Sequence, residues 1–365
     1  DVDVIRAKLE NVELGDSDYS FVGLYDTYAA REFIVQYDET DMAFVSRLAE
    51  HLGIAFHYDH ADGRDRIVFT DSNAGFAAGE EQLRLKLRTD EIGVSQLRAT
   101  SQTIPEMYVV MDYNYRTPNI DLTSQSAAER GYAGGVCEWG GHFKTQDQGK
   151  RLARVRREER ECTRVVFEGQ SDIEHLTAGE HYPVEGHQKL EGLKLLLTEV
   201  EHKAAQPVLT HGGSSDESDY QNTFYGIDVE QAYRPPRITP RPRIAGLLTG
   251  VVEAKTALDV ERYARMDGEG RYWIKFLYDN VPLGERRASR PIRRAQPTVG
   301  ADYGMHFPLR PGVEVVLAFV NGDPDRPIIV GAVHNTRTPN PITDKISRTN
   351  VIKTASGISM RFKDD

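Results

Sequence analysis

The chain has 365 residues, 39% of them hydrophobic, with a formal net charge of −11. That length accommodates two or three domains, each with its own core, and the acidic balance argues against a dedicated nucleic-acid binder, which carries a basic surface. Two cysteines, Cys137 and Cys162, give no disulfide framework and fit folding in a reducing cytoplasm, and no apolar run approaches the roughly 20 residues of a membrane-spanning helix.

The opening residues, DVDVIRAKLE, hold neither a signal-peptide core nor an initiator methionine, the pattern of a trimmed piece. Weak alternation of apolar and polar residues over positions 1–30 predicts short strands, with a turn at Gly15-Asp16-Ser17-Asp18. Residues 31–37 read as a strand, and 38–41 (DETD) then open a helix whose Phe44, Val45, Leu48, Ala49 and Leu52 form one apolar face. Acidic residues suit its positive end, and Gly53 supplies the stop. Residues 54–59 and 64–70 flank a turn and predict a hairpin. Alternation at 82–87 and 107–115 suggests further strands without fixing how they pair. The Arg-, Glu- and Lys-rich stretch 146–162 reads as an exposed charged helix, followed by strands at 163–168 and 193–202. A polar Gly/Ser loop at 211–219 and the proline-rich run YRPPRITPRPR at 233–243 then mark a domain boundary.

Beyond that boundary strands follow at short intervals, at 244–254, 260–265 and 272–278, with a turn at Asp267-Gly268-Glu269-Gly270. The most informative stretch is 311–335, PGVEVVLAFVNGDPDRPIIVGAVHN. Val313, Val315, Leu317 and Phe319 alternate along one strand, and 327–333 forms a second. Between them Asn321, Gly322, Asp323, Pro324, Asp325, Arg326 and Pro327 combine tolerance of positive φ, side chains that accept backbone hydrogen bonds, and one fixed φ, which is turn chemistry. Five strands suit a small barrel. Over 272–278 the same alternation puts Tyr272, Ile274, Phe276 and Tyr278 on one face, with Trp273 and Lys275 on the other.

The pattern GxEVVLxFxNGDPDRPIIVGxVxN resembles the barrel of the type VI secretion spike (VgrG) family. The segment REFIVQYDETDMAFVSRLAEHLGIAFHYDH at 31–60 is similar to the hub signature of that family and of phage tail hub proteins. The resemblance implies a mainly β fold with a few helices: a hub β-barrel domain over 1–232 with its N-terminal part missing, a linker at 233–243, an OB-like five-stranded barrel at 244–335, and at 336–365 a connector and the first strand of a trimeric intertwined β-helix needle. Ile358, Met360 and Phe362 would share one side of that strand. The resemblance further implies a homotrimeric puncturing spike, assembled in the cytoplasm and then secreted or injected into a target cell, with only transient membrane penetration. Its implied partners are a hexameric tube protein at the hub, a small PAAR-like sharpening protein at the needle tip, effectors and baseplate proteins. A phage tail or extracellular injection particle would use the same domains.

No GxSxG, P-loop or GxGxxG occurs, so no enzymatic activity and no cofactor is expected. His51, His57 and His60 lack the spacing of a zinc site, and Asp323 and Asp325 lack the twelve-residue calcium loop with its closing glutamate, so turn capping is the reading and no metal is expected. Residues 285–294 (ERRASRPIRR) lie near the aromatic strand, the combination of a single-strand-binding groove. An OB-fold nucleic-acid binder is therefore the rival reading. The acidic charge favours instead arginines, Arg290, Arg293 and Arg294 among them, that pair with another copy of the chain, and no nucleic-acid partner.

Overall fold

The computed structural model describes residues 1–88, 90–205, 219–255, 262–279 and 289–364. The chain divides into two units, Asp1–Ala30 with Thr40–Pro240, and Arg31–Glu39 with Arg241–Asp365. These units do not follow the contiguous ranges read from the sequence. The short segment Arg31–Glu39 belongs with the barrel.

The first unit opens with a helix, α1 (Val2–Asn11), where short strands are expected. Ile5 and Leu9, four residues apart, are buried and set its inner face, a helical spacing that outweighs the β-branched Val2, Val4 and Ile5. Only Tyr19–Phe21 of this region is a strand. The second helix, α2 (Asp41–Leu52), is capped by the Thr40 side chain, which accepts from the Ala43 N–H. It ends at Gly53 with φ +74°, and a Cβ there would stand 2.5 Å from Val155 Cγ1, so only glycine fits on both counts. The expected hairpin follows as Ala55–Asp59 against Arg66–Thr70, and Tyr19–Phe21 pairs in parallel with the latter.

A seven-stranded sheet is built in the order Ala77–Ala78, Glu180–Glu185, Lys194–Ala205, Asp219–Asp228, Val165–Ser171 and Val94–Ser101, with Leu83–Arg84 also paired to Glu180–Glu185. Its inner face carries Leu195, Leu197, Tyr182 and Phe224. A second three-stranded sheet, Leu122–Ala127, Met107–Asp112 and Gly135–Trp139, packs against the third helix, α3 (Gln146–Glu161), through Val110, Leu122, Phe143, Leu152 and Ala153. Helix α3 is far less exposed than its composition suggests: Arg156, Glu158 and Glu159 are buried. They are tolerated because each is paired. Arg156 forks onto Glu138 and donates to the His51 carbonyl, while Arg234 and Arg237, from the proline-rich run, reach Glu158, Glu159 and Glu138. Residues 233–240 are thus fastened to this unit. The loop expected at 211–219 lies, but for Asp219, outside the described residues.

In the second unit Ile274–Phe276, Leu248–Val252, Glu314–Phe319 and Pro327–Val333 form an antiparallel sheet in that order. Its two edges are joined through residues 292–294: Ile292 and Tyr272 exchange backbone hydrogen bonds of 2.8 and 3.0 Å, and Arg294 bridges Ile329 in parallel. Among the described residues these bridges link the two edge strands through 292–294, the arrangement of a small barrel. The expected strand at 260–265 lies partly outside the described residues, and within them Ala264 bridges Ala254. Val252, Tyr272, Ile274, Phe276, Val315, Leu317, Phe319 and Ile329 fill the core, but the alternation read over 272–278 does not hold throughout, since Lys275 is also buried and Tyr278 is exposed. Residues 31–37 form no strand. A final hairpin pairs Thr349–Lys353 with Ser359–Lys363.

Candidate assembly surfaces: the barrel turn, the arginine run and the terminal hairpin

The hairpin of Glu314–Phe319 and Pro327–Val333 ends at the Phe319–Pro327 pair, and the turn motif fills the space between. Asn321 and Gly322 take φ values of +56° and +71°, the left-handed region that Asn tolerates and Gly favours. Val320 N–H donates to the Arg326 carbonyl at 3.0 Å, and Arg326 N–H to the Asp323 carbonyl at 2.9 Å. Asp323 Oδ1 accepts from the Asp325 N–H at 3.1 Å, which is the capping expected of an aspartate two residues ahead.

Both carboxylates are buried. Arg241 forks onto Asp323 at 2.8 and 2.9 Å, with Arg326 3.5 Å away. Asp325 accepts from the Val35 N–H at 2.8 Å and lies 3.8 Å from Arg31 and 3.7 Å from Arg241. Burial and the adjacent Asp323 push the Asp325 carboxyl above the usual range, and Arg31, the Val35 N–H and Arg241 offset part of that. The positive charge beside these two aspartates comes from arginine. Nothing in the sequence marks Arg31, Val35 and Arg241 as their partners, because the separations reach 290 residues.

The arginine run lies on the segment that closes the barrel. Ile292 is buried in the core, while Arg290 and Arg293 on either side are exposed. Arg294 donates to the Phe307 carbonyl. Residues 285–288 of the run lie outside the described residues. The aromatics of the neighbouring strand make contacts within the barrel unit. Tyr272 is buried with its hydroxyl accepting from Leu309 N–H, Phe276 stacks on Phe33 and Tyr278, and Trp273 is covered by the Arg265 guanidinium, 4.4 Å from the ring centre.

The terminal hairpin presents a different surface. Ile352 opposes Met360, Asn350 opposes Phe362, and Ile358 lies two residues before Met360, so these side chains share one face. They are exposed, with Ile358 at 73% and Met360 and Phe362 at 56% of their full accessibility. That is a contiguous apolar row facing water.

The three histidines singled out in the sequence do not share a site. His51 Nδ1 lies 3.1 Å from Arg156, His60 pairs with Asp65 at 2.7 Å, and His57 packs on the Phe76 ring, where burial lowers its pKa. His57 and His60 do line a groove of about 510 Å³ in the first unit, together with His175 and His202.

Residues 2–208 match the family described as phage tail baseplate hub (GPD), and residues 266–334 the type VI secretion system/phage-baseplate injector OB domain. Among curated proteins, the chain is 29% identical over 348 residues to the type VI secretion system spike protein VgrG5 of Pseudomonas aeruginosa, covering 90% of this chain and 43% of that protein. It is 31% identical over 341 residues to VgrG4b of the same organism, covering 86% and 41%. The chain therefore spans less than half the length of these relatives. Among solved structures, an Escherichia coli component of the type VI secretion system, described as structurally similar to the T4 bacteriophage tail proteins gp27 and gp5, matches with a TM-score of 0.58 and 25% identity over 91% of this chain and 71% of that one. The half-lidded Francisella PdpA–VgrG complex shares the fold, with a TM-score of 0.54 at 10% identity over 98% and 63%.

Proposed function

The chain belongs to the phage tail baseplate hub (GPD) family and is of the type VI secretion spike (VgrG) type, and on that premise we propose that it is the hub-and-barrel part of a trimeric puncturing spike with no catalytic role. The observation that carries the trimer is the exposed apolar row of the terminal hairpin. A two-stranded hairpin with Ile352, Ile358, Met360 and Phe362 in water is marginal by itself. Covering what each such side chain still exposes contributes roughly 1–2 kcal/mol, and three copies packed row to row do so symmetrically.

The mechanism is mechanical. A spike pushed through a membrane must not splay, so closed barrels without strand edges and strands that share one buried core between chains resist local opening. In this reading the first unit, Asp1–Ala30 with Thr40–Pro240, forms the hub that seats on a hexameric tube protein, the barrel of the second unit forms the collar, and 336–365 form the connector and the beginning of the needle. A PAAR-like tip, effectors and baseplate proteins complete the assembly. The chain assembles in the cytoplasm and leaves on sheath contraction. The curated relatives, named as secretion spikes, favour this over a phage tail hub.

The test is to replace Met360 and Phe362 with serine and follow association by sedimentation. The protein concentration at half-assembly should rise at least tenfold. An unchanged association curve removes the hairpin from the interface.

A further inference from the structure

The chain enters the barrel unit twice, first as the strap Arg31–Glu39 and again from Arg241 onward. The strap alternates as an extended segment does, with Phe33 stacked on Phe276, Val35 buried, and Tyr37 edge-on to Tyr278. Yet it joins no sheet, so its buried backbone groups need partners of another kind. The Val35 N–H finds one in the Asp325 carboxylate at 2.8 Å, and Arg31 lies beside the same group. At the second entry, Arg241 forks onto Asp323 and the Ile244 N–H donates to the Gly322 carbonyl at 2.8 Å.

We propose that the turn at residues 321–327 is a clasp, in which Asp325 fastens the strap through the Val35 N–H while Asp323 and Gly322 fasten the entry of the barrel segment at Arg241 and Ile244. The chemistry of the motif fits both jobs. Pro324 fixes the backbone between the two aspartates, so that Asp325 meets the strap while Asp323 makes the shorter contact with Arg241, 2.8 Å against 3.7 Å. Gly322, at φ +71°, aims its carbonyl at Ile244, and a Cβ there would stand 3.2 Å from the Ile244 carbonyl oxygen. Strand reversal alone requires none of these long-range bonds. Tension on the chain at either end of the strap is then borne by the barrel.

The clasp is read locally, by amide hydrogen exchange in the whole chain, whatever its oligomeric state. With Asp325→Ala, exchange at Val35 and its neighbours should speed up at least tenfold, while Glu314–Phe319 and Pro327–Val333 stay within twofold of the wild type. Asp325→Asn keeps an acceptor oxygen for the Val35 N–H and should restore the slow exchange. Asp323→Ala should release residues 241–244 and leave the strap protected. Unchanged exchange at Val35 in Asp325→Ala, failure of Asp325→Asn to restore it, or equal loss of protection in strap and barrel strands would each overturn the clasp, the last by making Asp325 an ordinary stabilising residue.

Discussion

Glu138 joins the linker to α3, and its replacement by glutamine tests whether that network holds the first unit together. Arg156 contacts its two oxygens at 2.7 and 3.3 Å, and Arg237 adds a bond of 2.7 Å. Burial alone would raise the carboxyl, but the Arg156 and Arg237 guanidiniums overcome it and bring the value from 4.5 down to about 2. That difference corresponds to ~3 kcal/mol in favour of the folded, ionised form. The folded value lies below the unfolded one, so this contribution is complete above pH 4.5 and is lost as the pH falls towards about 2. Glu138→Gln also leaves the buried Arg156 without its carboxylate, which keeps the expected loss at pH 7 in the range of about 3–5 kcal/mol. Urea unfolding at a series of pH values is the assay. The variant should unfold at lower urea at pH 7, and the gap to wild type should narrow between pH 4.5 and 3. Equal midpoints at pH 7, or a gap that does not narrow in acid, would refute the electrostatic account.

Two further substitutions address the barrel. Gly322→Val places a β-branched side chain at φ +71° and against the Ile244 carbonyl, so the barrel should lose roughly 1–2 kcal/mol, visible as a lower melting temperature. Gly322→Asn, which tolerates that region, should lose less, and equal melting of wild type and the valine variant would contradict the turn geometry. Reversing the charge of Arg290, Arg293 and Arg294 together should weaken assembly, more so at low salt, because exposed charges are screened as ionic strength rises. A sedimentation profile that stays unchanged at both salt concentrations would remove these arginines from the interface.

The local grammar of the fold was legible where the signals were short-range. Gly53 closes α2, the alternation over Glu314–Phe319 puts Val315, Leu317 and Phe319 inside, and Asp323 caps the barrel turn as its chemistry dictates, whereas the Asp325 carboxylate turns to Val35 instead. Helix α1 was misread because Val2, Val4 and Ile5 favour strands, while the Ile5 to Leu9 spacing that decided the outcome is a single repeat. Helix α3 looked exposed because Arg156, Glu158 and Glu159 carry no mark in the sequence of their partners Glu138, Arg234 and Arg237. The strap read as a strand by composition, yet its partners lie on a turn almost 300 residues away. Periodicity reports which face of a segment is buried. It does not report against what.

A trimer built on the terminal hairpin is read out by the solution mass of the chain, measured by light scattering over a wide concentration range. The mass should lie near three times 41.1 kDa and persist on dilution until the shared apolar rows separate. A mass near one chain at every concentration would contradict it.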